Sequence, residues 1–187
     1  DYDIYISSST DGGATFSTST KVFDDTIGWD QTEPDICVDT SGRIFVCWKD
    51  TNYDAEGDIF VAVSYDGGQT FSDPVQVNDD PAGAKQESPS IAVFENQYVY
   101  VTWRDFRNDT GGDIYASGSS ASVDPLSFGT NVVVSDQSTG VSEVSPDIVC
   151  DASGSVHIVW CDFRDGNGNV YYASSTGGVT LSFGTSI

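Results

Sequence analysis

Basic residues are scarce in this chain: Lys and Arg number 7 against 29 Asp and Glu, a formal charge of −22. A surface of that sign is repelled by phosphate backbones and anionic lipid, which argues against nucleic-acid partners and membrane adsorption. No apolar run approaches the roughly 20 residues of a membrane-spanning helix, so membrane insertion is not expected either. Methionine is absent, His157 is the single histidine, and none of the four cysteines forms a C-x-x-C pair. Zinc-ligand spacing is therefore unmet. Sustained helical periodicity is missing throughout, and no leader-like segment opens the chain, although a mature or truncated chain would have lost one. With 38% hydrophobic and 12% aromatic residues the chain can still build a core. The acidity then belongs to loops and surface and does not signal disorder.

What is present is a repeat. The turn Ser9-Thr10-Asp11-Gly12-Gly13-Ala14-Thr15-Phe16 returns as Ser64-Tyr65-Asp66-Gly67-Gly68-Gln69-Thr70-Phe71, 55 residues later. Trp48, Trp103 and Trp160 are 55 and 57 apart, and Phe16, Phe71, Phe128 and Phe183 keep the same beat. A period of that length is the mark of a repeat architecture.

Each repeat reads as four short strands. In the second they are Pro34 to Asp39, Arg43 to Trp48, Asp58 to Val63 and Pro74 to Val77, separated by turn signals such as Thr40-Ser41-Gly42. The next copies run Pro89–Val93, Tyr98–Trp103, Asp113–Ala116 and Asn131–Val134, then Pro146–Cys150, His157–Trp160 and Val170–Ala173. Several strands, Ile44 to Trp48 among them, are apolar at consecutive positions, which implies sheets covered on both faces. Radially stacked blades meet that demand better than an open sandwich does. The fold expected is all-β, a β-propeller of four-stranded antiparallel blades.

The chain opens at Asp1-Tyr2-Asp3-Ile4-Tyr5, which aligns with Asp58-Ile59-Phe60 and so starts at the third strand of a blade. The units expected are a half blade over 1–27 and blades over 28–82, 83–138 and 139–187, about three and a half in all. Propellers close with roughly four to eight blades. Three routes to closure stand: further blades in the same chain, a second chain, or strands from a partner. The first is preferred, since the missing methionine and the start inside a blade suit a fragment or processed product.

Ser-x-Asp-x-Gly-x-Thr-Phe resembles the Asp-box of the BNR-repeat, sialidase-like propeller superfamily. Two copies match fully. The third, Ser119 to Phe128, keeps only the terminal Phe, and the fourth has Thr176 where Asp would precede Gly177-Gly178. In the matching turns, Ser9, Asp11, Gly13, Thr15 and Phe16, and likewise Ser64, Asp66, Gly68, Thr70 and Phe71, read as structural. The Asp accepts backbone N–H bonds, the Gly supplies a positive φ, and the Phe tucks under the loop.

The acidic loops between second and third strands suggest calcium as a possible cofactor. Asp50, Asp54 and Asp58 lie 2, 6 and 10 residues after Trp48, and Asp105, Asp109 and Asp113 keep those offsets after Trp103; Asp162, Asp165, Asn167 and Asn169 fill the last loop. Hard cations take six to eight oxygens, which Asp, Asn and free carbonyls can offer. The competing reading has the outer aspartates capping strand ends and the middle ones solvated. Cys37, Cys47, Cys150 and Cys161 flank two hairpins and are read as two disulfides of a secreted protein, with free buried thiols as the alternative. His157 reads as a packed or edge histidine, and Asn108-Asp109-Thr110 fits the N-glycosylation pattern.

Sialidase chemistry, as the resemblance implies it, needs three converging arginines, a Tyr nucleophile assisted by Glu, and an Asp acid/base. The four arginines are Arg43, Arg104, Arg107 and Arg164. Phe106-Arg107 and Phe163-Arg164 begin like the family's Phe/Tyr-Arg-Ile-Pro signature but continue differently, at matching places in successive blades, and read as repeat consensus. Tyr53 with Glu56 and Tyr98 with Glu95 are nucleophile and base candidates without diagnostic spacing, so no catalytic residue is assigned. The function expected is an extracellular or cell-surface binding or scaffold module for glycans or proteins, with Phe106, Phe163 and Tyr53 as contact candidates. The alternatives are part of a glycoside hydrolase whose catalytic groups lie elsewhere, and a subunit of a sheath, filament or surface layer.

Overall fold

A computed structural model of the 187-residue chain describes residues 1–24, 28–52, 54–80, 83–135 and 140–187. Its regular structure is antiparallel β, in four sheets that follow one another along the chain. The first is a two-stranded ribbon, β1 (Tyr5–Ile6) with β2 (Thr20–Lys21). The second holds β3 (Gln31–Val38), β4 (Ile44–Asp50), β5 (Asp58–Ser64) and β6 (Val75–Gln76) in sequence order. The third repeats it with β7 (Gln86–Phe94), β8 (Tyr98–Asp105), β9 (Asp113–Ser120) and β10 (Val132–Val133). The fourth has β11 (Glu143–Cys150), β12 (Val156–Asp162) and β13 (Asn169–Ser175). Beside β13, Ile187 exchanges both backbone hydrogen bonds with Tyr172, at 2.9 and 3.1 Å, in the place of a fourth strand. The chain is thus a partial β-propeller.

Blade stacking explains the consecutive apolar runs. Residues of β4 and β8 alternate between the two faces of their sheet, and each face meets a neighbouring blade. Ile4, Ile6 and Val22 pack on Val46, Trp48, Phe60 and Ala62. Phe45, Cys47, Ile59 and Val61 pack on Ile91, Val99, Val101 and Trp103. Tyr100, Ile114 and Ala116 pack on Ile148, Ile158, Trp160 and Ala173. The three tryptophans of the repeat lie in these interfaces, each stacked on an aromatic of the next strand: Trp48 on Phe60, Trp103 on Tyr115 and Trp160 on Tyr171, with centroids 6.2 to 6.4 Å apart.

The first strand of each full blade is longer than its apolar run suggests. β3, β7 and β11 begin three residues before Pro34, Pro89 and Pro146, and each contains a β-bulge at the proline. The residue before each proline is left-handed: Glu33 at φ 56°, Ser88 at 53° and Ser145 at 54°. A bulge is where a strand accommodates a residue that cannot donate to the ladder. β7 lies between β3 and β11, and they are joined across the bulge: the Asp35 carboxylate accepts Ser90 Oγ–H and Ile91 N–H, both at 2.9 Å, and Ser90 Oγ is 3.1 Å from Asp147.

Two expectations are corrected. The cysteines form no disulfide: Cys37, Cys47, Cys150 and Cys161 are all free. Cys37 stands opposite Phe45 and Cys47 opposite Asp35, while Cys150 stands opposite Val156 and Cys161 opposite Val144 at the far end of its hairpin. Neither pair meets the close Cα approach a disulfide needs. Burial pushes the Cys47 thiol well above its ordinary range and Cys150 to about 11, as expected of inert packed thiols. Phe16 does not tuck in. It is 66% exposed, whereas Phe71, Phe128 and Phe183 pack against interblade cores; among the described residues no blade surface lies on the far side of the β1–β2 ribbon to receive it.

Candidate functional site

Antiparallel strands send alternate connections to opposite faces of the arc. One face carries the loops after β4, β8 and β12 together with the starts of β3, β7 and β11. The Asp/Gly turns and the short turns after β3, β7 and β11 occupy the other.

On the loop face each blade repeats one lock. The indole N–H of Trp48, Trp103 or Trp160 donates to the second oxygen of Asp50, Asp105 or Asp162, at 2.9, 2.8 and 3.5 Å. The first oxygen of each accepts the N–H two residues on, from Asn52, Arg107 or Arg164. In the last two blades that residue's guanidinium returns to the same carboxylate and lies over Tyr115 or Tyr171, 4.5 and 4.0 Å from the ring centroid. Arg107 also binds Asp79, Asp80 and Asn131. A buried carboxylate paired and hydrogen-bonded in this way closes a strand end without an orphaned charge.

Beside the Arg107 lock lies a shallow cleft of about 410 Å³ lined by Glu56, Gly83, Lys85, Phe106, Asn108 and Asp109, among others. Behind its Lys85 and Phe106 lining sits a charged group. Arg104 donates to Glu87 at 2.8 Å, to Gly111 O at 2.6 Å and to Ser142 Oγ at 3.0 Å, joining two blades, and Lys85 pairs with Glu87 as well. Burial by itself would raise the Glu87 carboxyl, but Lys85 and Arg104 outweigh it and hold it below its ordinary range. Both cations lie over the Phe106 ring, at 5.2 and 4.5 Å. Glu87 is thus kept ionised, with its two oxygens paired to Lys85 and Arg104. Trp29 and Phe163, 40% and 42% exposed, face solvent from loops on the same face.

The loop carboxylates are divided among internal donors. Asp50 opposes Asp58 and Asp105 opposes Asp113 in register, while Asp162 opposes Asn169, so these pairs close the ends of their hairpins. Asp58 bonds Asn78. Asp54 accepts the Glu56 and Gly83 N–H groups, and Asp109 those of Gly111, Gly112 and Gly140. Asp165 meets the Tyr171 hydroxyl at 3.4 Å. Among the described residues no three His, Cys, Asp or Glu side chains converge on a metal-sized site. Tyr53 lies outside the described residues. Tyr98 and Glu95 sit at the opposite face, where Glu95 accepts from Gln97. Asn108 turns its Nδ2 inward to Asp113 and Tyr115, at 2.9 and 2.8 Å. His157 stacks on Tyr172, its Nδ1 2.8 Å from the hydroxyl and its Nε2 3.2 Å from Asp151.

The Asp/Gly turns are built alike. Ser9 Oγ and Ser64 Oγ accept the Gly13 and Gly68 N–H groups, and Asp11 and Asp66 accept both the N–H and the hydroxyl of Thr15 and Thr70. The threonine bonds, with the serine hydroxyls, hold the Asp11 carboxyl well below its ordinary value and Asp66 at about 2. Gly13 and Gly68 sit at φ 89° and 88°, where a side chain would be strained.

Reading the sequence missed two sets of residues. One is the buried series Gln31, Gln86 and Glu143, opposite Asp50, Asp105 and Asp162. The other is the Lys85–Glu87–Arg104 group. The first could have been found from its place, three residues before each repeated proline; the second carries no repeat signal at all.

No protein-family model matches the chain, and no curated protein does. Solved structures do. The α-L-arabinanase of Penicillium chrysogenum, complexed with arabinobiose, superposes over 98% of this chain and 58% of its own, with a TM-score of 0.71 at 16% identity. The GH93 α-L-arabinofuranosidase of Fusarium graminearum gives 0.70 at 16% identity over 96% of this chain and 57% of its own. The intramolecular trans-sialidase of Ruminococcus gnavus gives 0.58 at 15% identity over 90% and 37%. The chain therefore has the fold of these propellers and spans little more than half the length of the first.

Proposed function

We propose that this chain is a glycan-binding and scaffolding segment of an extracellular, sialidase-like propeller of the Asp-box type, and that it does not itself cleave glycosidic bonds. The observation that carries the reading is the combination of a fold shared with carbohydrate-acting propellers with arginines consumed internally. Arg43 binds Asp39, Arg104 binds Glu87, Arg107 binds Asp79 and Asp105, and Arg164 binds Asp162. A carboxylate clamp needs guanidinium groups free to converge on the substrate. The cleft at Phe106, with Glu56 and Asp109 in its lining and with Trp29 and Phe163 facing solvent on the same face, supplies hydrogen-bond acceptors and aromatic surface instead, the usual furniture of a polyol site.

The test is direct. The 187-residue chain is applied to immobilised arabinobiose, xylobiose and sialyllactose and assayed in parallel on aryl arabinofuranoside and fluorogenic sialoside. Binding that falls on Trp29→Ala or Phe163→Ala, without turnover, is the expected result. Turnover by this chain, or no retention on any glycan, overturns the reading. A second reading, that the segment belongs to a larger glycosidase with catalytic groups in other blades, is favoured by its covering 58% of the arabinanase; turnover by the full-length native protein alone would establish it.

A further inference from the structure

Successive blades meet at the turn face through a notch, and the two notches between full blades are filled differently. Between the second and third sheets the notch is occupied by Arg43. Its guanidinium pairs with Asp39, donates to the carbonyls of Ala121 and Asn96 across the interface, and lies 5.5 Å from the Phe45 ring centroid. One repeat later the register puts Tyr98 at the place of Arg43 and Phe94 at the place of Asp39. Across that second interface Ser153 and Gly177 stand where Asn96 and Ala121 stood.

The exchange leaves a cavity of about 480 Å³, lined by Phe94, Gln97, Tyr98, Ser153, Ser155 and Thr176 with two glycines. The glycines hold its walls close. A Cβ on Gly177 would lie 2.0 Å from Gly154 O, and one on Gly154 would lie 2.9 Å from the Phe94 ring. Tyr100 fixes the next turn by accepting the Gly178 N–H at 2.8 Å. In a chain of net charge −22, no charged side chain among the described residues lines this cavity. The carboxylates nearby are engaged elsewhere: Asp151 accepts from Ser153, from the Ser155 N–H and from His157, and Glu95 from Gln97.

We propose that this notch binds a neutral saccharide of one or two rings. Aromatic side chains supply the apolar surface that the C–H face of a sugar ring seeks. Serine and threonine hydroxyls, the Gln97 amide and backbone carbonyls can exchange hydrogen bonds with its hydroxyl groups in both directions. The volume lies in the range of small-molecule sites. A cationic ligand, the chemistry of the neighbouring notch, is disfavoured because the counter-charge that Asp39 gives Arg43 is replaced here by Phe94. The site stands on the opposite face from the Phe106 cleft and does not depend on that reading.

The experiment is saturation-transfer NMR and calorimetry on the 187-residue chain with cellobiose, maltose and xylobiose, and separately with L-argininamide. Tyr98→Arg, which inserts the side chain that fills the other notch, is expected to weaken disaccharide binding by about ten-fold or more, equivalent to about 1.4 kcal/mol. Gln97→Ala, at an exposed position that leaves the fold intact, is expected to weaken it several-fold with Tm unchanged. Loop-face binding would ignore both substitutions, so the two sites are told apart. The proposal is overturned if none of the three disaccharides binds, if binding survives both variants, or if L-argininamide binds more tightly than the sugars and is displaced by Tyr98→Arg.

Discussion

Glu143 is a buried carboxyl pushed well above its ordinary range. It occupies the buried position that is Gln31 and Gln86 in the preceding blades, accepts the Ile114 N–H at 3.2 Å and lies near Asp162 and Asp113. Burial, with those carboxylates behind it, raises its pKa from 4.5 to about 7 against the opposing pull of Ser135 and the Ile114 N–H. A raised folded-state pKa means that the folded protein holds the proton more tightly than the unfolded chain. Its stabilising contribution is therefore present below pH 4.5 and lost as pH climbs to about 7. Glu143→Gln is expected to remove that slope and stabilise the protein at pH 8 by on the order of 1–3 kcal/mol. Urea midpoints at pH 5 and pH 8 check it; equal slopes for both proteins would refute the assignment. The tryptophans were legible from spacing alone. That Asp50, Asp105 and Asp162 receive their indole N–H groups was not, because side-chain direction across the sheet is set by the interface.

At the scale of elements, the turns and the bulged first strands define the blade. In each matching turn one carboxylate gathers the backbone and side chain of a threonine four residues on, an arrangement legible in the sequence because every bond is local. Asp66→Ala is expected to lower Tm and Asp66→Asn to lower it less, since the amide keeps an acceptor but loses the charge. With its pKa held at about 2, the contribution of Asp66 is present above the unfolded value of 3.8 and is lost as pH falls toward 2. The Tm gap between wild type and Asp66→Ala should therefore narrow with acidification; a pH-independent gap would argue against the charge. The bulges were hidden. Prolines at 34, 89 and 146 suggested strand starts, whereas the backbone continues the ladder through them by placing Glu33, Ser88 and Ser145 in the left-handed region. The cysteines misled for a related reason: near-symmetric flanking of a turn does not give register, and Cys47 stands two residues beyond the partner of Cys37.

Across the whole molecule, one position has different consequences in different blades. Ile59, Ile114 and Val170 share a register place, each opposite the residue after the blade's tryptophan. Ile59 and Ile114 are fully buried between blades, while Val170 is 77% exposed on the outer face of the last sheet. At the other end Ile36 is 49% exposed where Ile91 and Ile148 are 4% and 3%. Ile114→Ala is expected to cost about 2–5 kcal/mol and Val170→Ala under about 0.5 kcal/mol in urea unfolding of this chain. Similar costs would mean that the Val170 face is covered in solution.

The sequence by itself determined the all-β class, the repeat, the Asp/Gly turns and the strongly acidic balance, because these follow from local periodicity, short-range hydrogen bonding and composition. Only the tertiary structure decided which arginines are consumed, that the cysteines stay apart, and that one interblade notch is filled by Arg43 while the next stands open beside Tyr98. The Arg43 and Arg104 networks join groups 38 to 78 residues apart in the chain, and the rest depends on strand register and on how one blade's side chains fit the face of another.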